Sequence, residues 1–258
     1  MLLAIDIGNT ETNWGVFKGD ILEARWSTAT VINRTMDEYR ILLNQLLATQ
    51  NINTGHVQSA VMCSVVPPLT GIFEEMLAGI AGDDTLTVGA GIKTGIRIRM
   101  DNPREVGADR IVNAVAARSL YSGAVIVIDM GTTTTFDVIS AEGDYLGGAI
   151  APGLKIGVET LYSRTAVLPR VEISRPEKTI GTNTIAAMRS GLVFGHAAMV
   201  EGLVKRIKKE LGHDATVVAT GGLSAIITRE TDSIDIINTD LTLTGLKLVY
   251  KMNTEVSG

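Results

Sequence analysis

Short apolar and β-branched runs alternate along this chain with segments whose apolar residues recur at helical spacing. The first half predicts a meander of three strands and then alternating helices and strands, over residues 2–28, 36–49, 57–64, 69–81, 85–88, 96–99 and 106–120. The second half repeats the meander and adds further elements, over residues 124–151, after Pro152-Gly153, and over 184–211, 215–220 and 241–252. This order is typical of α/β domains with mixed sheets.

One short motif ends the first predicted strand of each half. Asp6-Ile7-Gly8-Asn9-Thr10 follows one apolar run, and Asp129-Met130-Gly131-Thr132-Thr133 follows the other. A Gly-Asp turn comes after each copy, at Gly19-Asp20 and Gly143-Asp144. The distance along the chain from motif to turn therefore differs by only one residue between the two copies. This repeat predicts a duplicated domain in which a turn from each half faces a shared cleft.

The length of 258 residues fits this duplication, because compact domains of about 130 residues are common. We predict an N-terminal half over residues 1–121 and a C-terminal half over residues 122–258. Hydrophobic residues make up 45% of the chain, which is ample for two buried cores. The net charge of −5, with both signs dispersed, argues against broad binding to nucleic acid or an anionic membrane, since both need a basic face.

The single cysteine, Cys63, excludes an intramolecular disulfide and lies in an apolar run, where we interpret it as a small core residue. The three histidines have no metal-ligand spacing and are interpreted as structural or surface residues. The chain begins directly with a predicted strand, and neither a signal peptide nor an apolar run of about 18 residues is found. A cytoplasmic protein is therefore expected.

Both motif turns contain the residues that suit phosphate binding. Glycine lets the backbone approach closely, hydroxyl side chains donate hydrogen bonds, and successive N–H groups form an anion-binding nest. The candidate donors are Gly8, Asn9, Thr10 and Thr12 in the first turn and Gly131, Thr132, Thr133 and Thr134 in the second. Asp6 and Asp129 lie at the bases of the turns, where carboxylates suit a cation, and Mg²⁺ held through water is the natural form.

A third group of residues precedes an apolar helix. Gly107 and Asp109 fall at or near the helix start, where N–H groups without helical partners and the helix dipole favour an anion. Read alone, Asp109 is a first-turn helix charge and Arg110 forms a surface ion pair. Beside two phosphate turns, the Asp109 carboxylate becomes a candidate general base.

Two further segments allow two interpretations each. The strand that ends in Thr220-Gly221-Gly222 either gives a nucleoside a flat backbone to lie against or makes a tight turn toward a helix. The small residues of the long predicted helix form either a dimer seam or a site of intramolecular helix packing, and they are Gly191, Gly195, Ala197 and Ala198.

Together these pieces resemble the superfamily of acetate kinases, sugar kinases, heat-shock chaperone ATPases and actin. That superfamily has a duplicated, ribonuclease H-like fold with two phosphate turns and an adenosine turn. More narrowly, the chain is similar to the type III pantothenate kinases. The motifs that carry this similarity extend over almost the whole chain and are Asp6–Thr10, Ser64–Pro67, Asp101–Arg110, Asp129–Thr133, Gly147–Gly153, Gly181–Thr184 and Thr220–Gly222.

The resemblance implies ATP-dependent phosphorylation of pantothenate to 4′-phosphopantothenate, the first step of coenzyme A biosynthesis. It implies that Asp109 is the catalytic base and that Asp129 binds a monovalent cation, K⁺ or NH₄⁺, which leaves Asp6 as the expected neighbour of Mg²⁺. The implied ATP-binding residues are Asp6, Ile7, Gly8, Asn9, Thr10, Glu11, Thr12, Asn13 and Thr132. The implied pantothenate-binding residues are Met100, Gly107, Ala108, Asp109, Arg110 and Thr184, the last of which acts across a homodimer interface.

Met100 departs from the family pattern, because many members have tyrosine directly before Asp-Asn-Pro. Methionine fills a similar volume but has no hydroxyl group. A hydrogen bond from this position to pantothenate is therefore not expected, and the affinity for pantothenate is expected to be somewhat lower.

Three other functions fit parts of the same pattern. A regulatory protein could keep this fold and its nucleotide site and act by binding a partner. A kinase for another small hydroxy acid or sugar shares the backbone pattern, and a phosphohydrolase on the same duplicated fold releases phosphate without an acceptor alcohol. The choice between K⁺ and NH₄⁺ and any assembly beyond a dimer stay open.

Overall fold

The structure, a computed structural model, describes residues 1–254. Its contacts divide the chain into two compact units. The first unit contains residues 1–95, residues 102–116 and the chain from residue 242, and the second contains residues 96–101 and 117–241. Within the described residues, no helix is long and apolar enough to cross a membrane.

The strands and α-helices of the described chain follow one another in the order β1 (Leu2–Ile7), β2 (Glu11–Lys18), β3 (Ile21–Ala29), α1 (Met36–Thr49), β4 (Ser59–Ser64), α2 (Pro67–Ala81), β5 (Thr85–Thr87), β6 (Arg97–Ile98), α3 (Ala108–Leu120), β7 (Val125–Met130), β8 (Thr133–Ile139), β9 (Asp144–Pro152), α4 (Leu154–Ser163), α5 (Thr184–Leu211), β10 (Thr216–Thr220), α6 (Ser224–Ile227), β11 (Ile236–Ile237) and α7 (Leu241–Thr254).

The first unit is built on a five-stranded sheet in the order β3-β2-β1-β4-β5. β1 pairs with β2 in antiparallel fashion and with β4 in parallel fashion. One face of the sheet packs on α1 and α2, where Phe73 lies 5.5 Å from the Trp14 ring and 4.6 Å from the Tyr39 ring. Helix α1 begins at a capping box in which Thr35 and Glu38 satisfy each other's backbone N–H groups.

The second unit is built on a six-stranded sheet in the order β11-β10-β7-β8-β9-β6. One face of this sheet packs on the long helix α5, and the core residues that make this contact include Ile126, Ile128, Phe136, Val193, Val200 and Val217. The core of the second unit therefore lies between one face of its sheet and helix α5.

The two sheets repeat one arrangement. The order β3-β2-β1-β4 in the first unit corresponds to β9-β8-β7-β10 in the second, with the same antiparallel and parallel pairings. This confirms the predicted mixed α/β class and its duplication.

The short elements α6 and β11 have no counterpart in the predictions, because two to four residues are too few to show a periodicity.

Helix α7 belongs to the first unit, although the sequence analysis placed it in the half over residues 122–258. Its glycine makes this packing possible, since a Cβ at Gly245 would lie 2.2 Å from the Val112 carbonyl oxygen. Lys247 and Lys251 also pair with the Asp20 carboxylate at 3.1 and 2.6 Å. These long-range contacts, which no local pattern encodes, join the end of the chain to α3 and to the turn before β3.

Substitution of Gly245 by alanine should destabilise the protein. The added methyl group meets backbone at Val112, so we expect a loss of about 1–3 kcal/mol in the free energy of unfolding, measured by urea denaturation. Gly79→Ala is the matched control, because Gly79 also lies in a helix and an added Cβ there has no described atom within 4 Å. The control should be neutral or gain up to about 1 kcal/mol from helix propensity. Equal stability of the two variants would contradict the packing.

Candidate active site

The first motif turn joins β1 to β2 and depends on Gly8. The Gly8 N–H donates to the Glu11 carbonyl at 3.0 Å. A side chain at Gly8 would place its Cβ 2.9 Å from the same carbonyl oxygen. Glycine is required here because the two backbone segments approach each other so closely.

The Asp6 carboxylate lies at the base of this turn, at the end of the central strand β1. Its Cα is paired with Asn13 on one side and with Cys63 on the other. Asn13 Nδ2 donates to Asp6 Oδ2 at 3.1 Å, and Cys63 Sγ donates to Asp6 Oδ1 at 3.4 Å. Within residues 1–254 no ion pair involves Asp6, so the carboxylate has only neutral donors for partners.

The pKa of Asp6 is raised to about 6, mainly because the carboxyl is buried. The hydrogen bond from Asn13 lowers this pKa, the charge of Asp109 raises it, and the hydrogen bond from Cys63 lowers it; the value of about 6 is the net result. Burial likewise raises the pKa of the Cys63 thiol well above its ordinary value, so this thiol stays protonated and acts as a donor. The prediction that Cys63 is a core residue is confirmed, since its side chain is fully buried. Its contact with Asp6 was missed because it depends on strand pairing between distant segments.

Asp109 lies in the first turn of α3, beside Gly107. Its carboxylate folds back on its own helix, where Oδ1 accepts from the Arg110 N–H at 2.8 Å. A Cβ at Gly107 would lie 2.5 Å from that same oxygen, so any other residue at 107 would displace the carboxylate. Gly107 also lies beside the first turn within the same unit, since a Cβ there would lie 3.7 Å from Val65 Cγ1. The Val65 N–H in turn donates to the Ile7 carbonyl at 3.1 Å. The charge of Asp109 contributes to the raised pKa of Asp6.

The second motif turn joins β7 to β8 in the second unit. The Gly131 N–H donates to the Thr133 carbonyl at 3.1 Å, so this turn is shorter than the first. A Cβ at Gly153 would lie 2.3 Å from the Thr132 carbonyl oxygen, which makes Gly153 a required neighbour of the turn. The role of Gly153 could not be inferred from its position after Pro152, because it depends on the return of β9 beside β8.

Asp129 lies at the base of the second turn, as Asp6 does in the first. Its Cα is paired with Thr135 of β8 and with Thr220 of β10. Gly221 has a φ of +87°, and a Cβ there would lie 2.6 Å from Asp129 Oδ1. Thr220-Gly221-Gly222 is therefore a tight turn against the Asp129 carboxylate, and its use by a nucleoside stays a prediction.

His196 of α5 supports the second turn from the core side. Its Nε2 lies 3.0 Å from Thr134 Oγ1, and both residues are buried. Burial lowers the pKa of His196, so the ring is neutral at neutral pH. This agrees with its interpretation as a structural histidine.

Met100 and Thr184 both lie in the second unit. A Cβ at Gly147 would lie 3.1 Å from Met100 Sδ, so Met100 packs closely on the β9 backbone. Thr184 is the first residue of α5, whose N-cap Asn183 accepts from the Ala186 N–H at 2.9 Å. Thr184 also lines a groove of about 760 Å³ between α4 and α5, whose other lining residues are mostly apolar and include Ile156, Leu161, Leu168, Met188 and Leu192.

In the ligand-free protein, the raised Asp6 pKa should make stability fall as pH rises. The folded state keeps the Asp6 proton up to about pH 6, whereas the unfolded chain releases it near 3.8. Ionisation therefore costs at most about 3 kcal/mol of unfolding free energy as the pH rises between these two values. Asp6→Asn should remove this loss and be more stable than the wild type at pH 7.5, in urea denaturation across the pH range. The exposed Asp83→Asn is the control, and an Asp6→Asn curve parallel to the wild type at every pH would contradict the assignment.

The chain matches known proteins over nearly its whole length. A family model described as type III pantothenate kinase matches residues 2–206. The type III pantothenate kinase of Dehalococcoides mccartyi is 53% identical over 252 residues, which cover 98% of this chain and 96% of that protein.

Two solved structures show the fold. One is a Campylobacter jejuni protein described as a Baf family transcriptional activator, with a TM-score of 0.62, 18% identity and coverage of 98% of this chain and 100% of that chain. The other is a polyphosphate/ATP-glucomannokinase from Arthrobacter, with a TM-score of 0.52, 13% identity and coverage of 97% and 98%. The chain shares the fold of these two structures, and it belongs to the type III pantothenate kinase family.

Proposed function

We propose that this chain transfers the γ-phosphoryl group of ATP to pantothenate and forms 4′-phosphopantothenate, the first step of coenzyme A biosynthesis. Family membership supports the reaction, because the similarity covers 98% of the chain and includes both phosphate turns. The observation that supports the mechanism is the packing of Gly107, which an added Cβ would bring to 2.5 Å from Asp109 Oδ1 and 3.7 Å from Val65 Cγ1. Because the Val65 N–H donates to the Ile7 carbonyl at 3.1 Å, this packing sets the start of α3 beside the first turn.

Asp109 is the proposed general base. The Arg110 N–H and the start of α3 hold its carboxylate in one orientation, and Gly107 leaves the space that this orientation requires. The pantothenate hydroxyl gives its proton to Asp109 while its oxygen forms a bond to the γ-phosphorus, and the bond from that phosphorus to the ADP oxygen breaks. Gly107, Ala108 and Arg110 are the proposed pantothenate contacts beside this base.

Asp6 is the proposed neighbour of a divalent cation. The largely buried carboxylate has only neutral donors, and a second carboxylate lies nearby, so a cation would relieve an unfavourable charge. No group of three His, Cys, Asp or Glu side chains in the described chain could enclose a metal ion. The chemistry of Mg²⁺ is what motivates the proposal, since this ion keeps several waters and binds phosphate oxygens, and with ATP it would neutralise phosphate charge.

Asp129 is the proposed site of a monovalent cation, K⁺ or NH₄⁺. The paired positions on both neighbouring strands are threonines, Thr135 and Thr220, so the strands that flank Asp129 contain hydroxyl groups at this level of the sheet. Oxygen ligands suit K⁺. Thr132 of the same turn is the proposed ATP contact in the second unit.

A homodimer through α5 is the proposed assembly. Uncharged small residues recur at spacings of three and four along one exposed face of this helix, and they are Thr184, Ala187, Gly191, Gly195, Ala198 and Gly202. The apolar groove beside Thr184 continues this face. Ala197, for which the sequence left both a dimer seam and intramolecular packing open, is buried in the intramolecular core.

A second copy of the chain is the occupant that best fits this face. Small residues let two helices approach closely, and a Cβ at Gly191 or Gly195 has no described atom within 4 Å. Ile180 and Ile185, beside the start of α5, are also exposed, and burial of such apolar surface stabilises an association. Thr184 would then lie at the interface, as the proposed substrate contact requires.

The location of the protein in the cell is a separate question, and a cytoplasmic location stays a prediction.

A regulatory role is the main alternative, and the structural likeness to the Campylobacter jejuni protein makes it worth testing. That likeness, at 18% identity, concerns the fold alone. The first turn and the placement of Asp109 favour catalysis, because a binding protein needs no base beside its nucleotide site.

Asp109→Asn should reduce turnover about 10²–10⁴-fold, since it removes the proposed proton acceptor. The Km for ATP should change little, because Asp109 is not a proposed ATP contact. ADP release with Mg²⁺-ATP and pantothenate measures both parameters. Asp83→Asn is the matched control, as Asp83 is an exposed carboxylate of the same unit. Near-normal turnover of Asp109→Asn would exclude Asp109 as the base.

Gly191→Glu and Gly195→Glu should convert the dimer into single chains. Each places a charge on the small-residue face without a clash inside the chain, so folding should persist. Analytical ultracentrifugation should give twice the mass of one chain for the wild type and for the control Gly71→Glu, an exposed glycine of α2. A wild type with the mass of one chain, or variants that stay dimeric, would contradict this interface.

A further inference from the structure

Thr30, directly after β3, is bound to three parts of the first phosphate turn. Its hydroxyl donates to the Gly8 carbonyl at 2.7 Å, and its N–H donates to the Thr10 carbonyl at 2.9 Å. Its Oγ1 also lies 2.9 Å from Thr12 Oγ1. Thr30 lies outside every motif that the sequence analysis singled out, and it contacts the turn only through the fold.

The direction of these hydrogen bonds follows from the number of protons. The Thr30 hydroxyl has one proton and gives it to the Gly8 carbonyl, so Thr12 must donate to Thr30. Thr12 is fully buried. Its hydroxyl therefore serves the turn through Thr30, whereas any contact of Thr12 with ATP stays a prediction.

These bonds fix the orientation of two peptide planes. The described chain has no cis peptide bond, and in a trans peptide the C=O and the following N–H point in opposite directions. Thr30 holds the carbonyls of Gly8 and Thr10 on its own side. The N–H groups of Asn9 and Glu11 are therefore directed to the opposite side of the turn.

We propose that Thr30 is a positioning residue of the first phosphate turn. It holds two carbonyl oxygens away from the phosphate groups, which would repel them, and so presents the neighbouring N–H groups to the nucleotide. Asn9 has the N–H group that this arrangement orients most directly. The proposal rests on the proposed function in one respect, namely that the ligand of this turn is ATP.

Three variants test the role of the hydroxyl. Thr30→Val keeps the side-chain shape and the backbone N–H but removes the bond to Gly8, and Thr30→Ser restores a hydroxyl. Thr85→Val is the matched control, because Thr85 is also half-buried and also donates to a glycine carbonyl, that of Gly82 at 3.4 Å. Binding of a non-hydrolysable ATP analogue with Mg²⁺ is measured by calorimetry, and Km and kcat are measured for ATP and pantothenate.

Thr30→Val should weaken nucleotide binding and raise the Km for ATP about 5- to 10-fold, the effect of loosening one or two hydrogen bonds to a charged ligand. The Km for pantothenate should change less than about twofold, because the first turn is proposed to contact ATP and not pantothenate. Thr30→Ser and Thr85→Val should bind the nucleotide like the wild type.

A double variant separates positioning from stability. Thr30→Val alone leaves the buried Thr12 hydroxyl without its acceptor and should lower the melting temperature. Adding Thr12→Val removes both partners and should restore much of that stability while nucleotide binding stays weak.

Wild-type nucleotide affinity in Thr30→Val, or weakened affinity that recovers together with stability in the double variant, would overturn the proposal. If the wild type binds the analogue but does not phosphorylate pantothenate, the proposed function fails while the comparison of nucleotide affinities still tests Thr30.

Discussion

The first unit is organised around a carboxylate that has no cationic partner within the described chain. Asp6 ends the central strand, accepts hydrogen bonds from an amide and a thiol, and lies near a second carboxylate. Ionising this carboxyl is unfavourable, mainly because it is buried, and its pKa is therefore raised to about 6. Perturbed pKa values of this kind cluster at functional sites, where burial and neighbouring charges are arranged to shift them.

The duplicated sheet gives the second unit the same backbone position with different chemistry. Asp129 corresponds to Asp6, but its neighbours on the paired strands are Thr135 and Thr220 instead of Asn13 and Cys63. One strand-turn arrangement has thus produced two carboxylate sites with different surroundings. This difference supports the proposal of a divalent cation beside one carboxylate and a monovalent cation beside the other.

Most of the fold could be predicted from the sequence, because alternation, helical spacing and the repeated motif are local signals. The short elements α6 and β11 and the placement of α7 could not, since they depend on packing between distant segments. The candidate site shows the same division. The motifs identified both turns, but the contacts of Thr30 and Cys63 with the first turn follow from strand pairing that no local pattern shows.

The most direct test of the account is ADP release by the full chain with ATP and Mg²⁺, with and without pantothenate, in potassium buffer and again with sodium in place of potassium. The account predicts turnover that requires pantothenate and is stimulated by potassium. Turnover that ignores pantothenate would indicate another acceptor or hydrolysis, and no turnover under any of these conditions would contradict the assignment of a kinase and favour a binding protein.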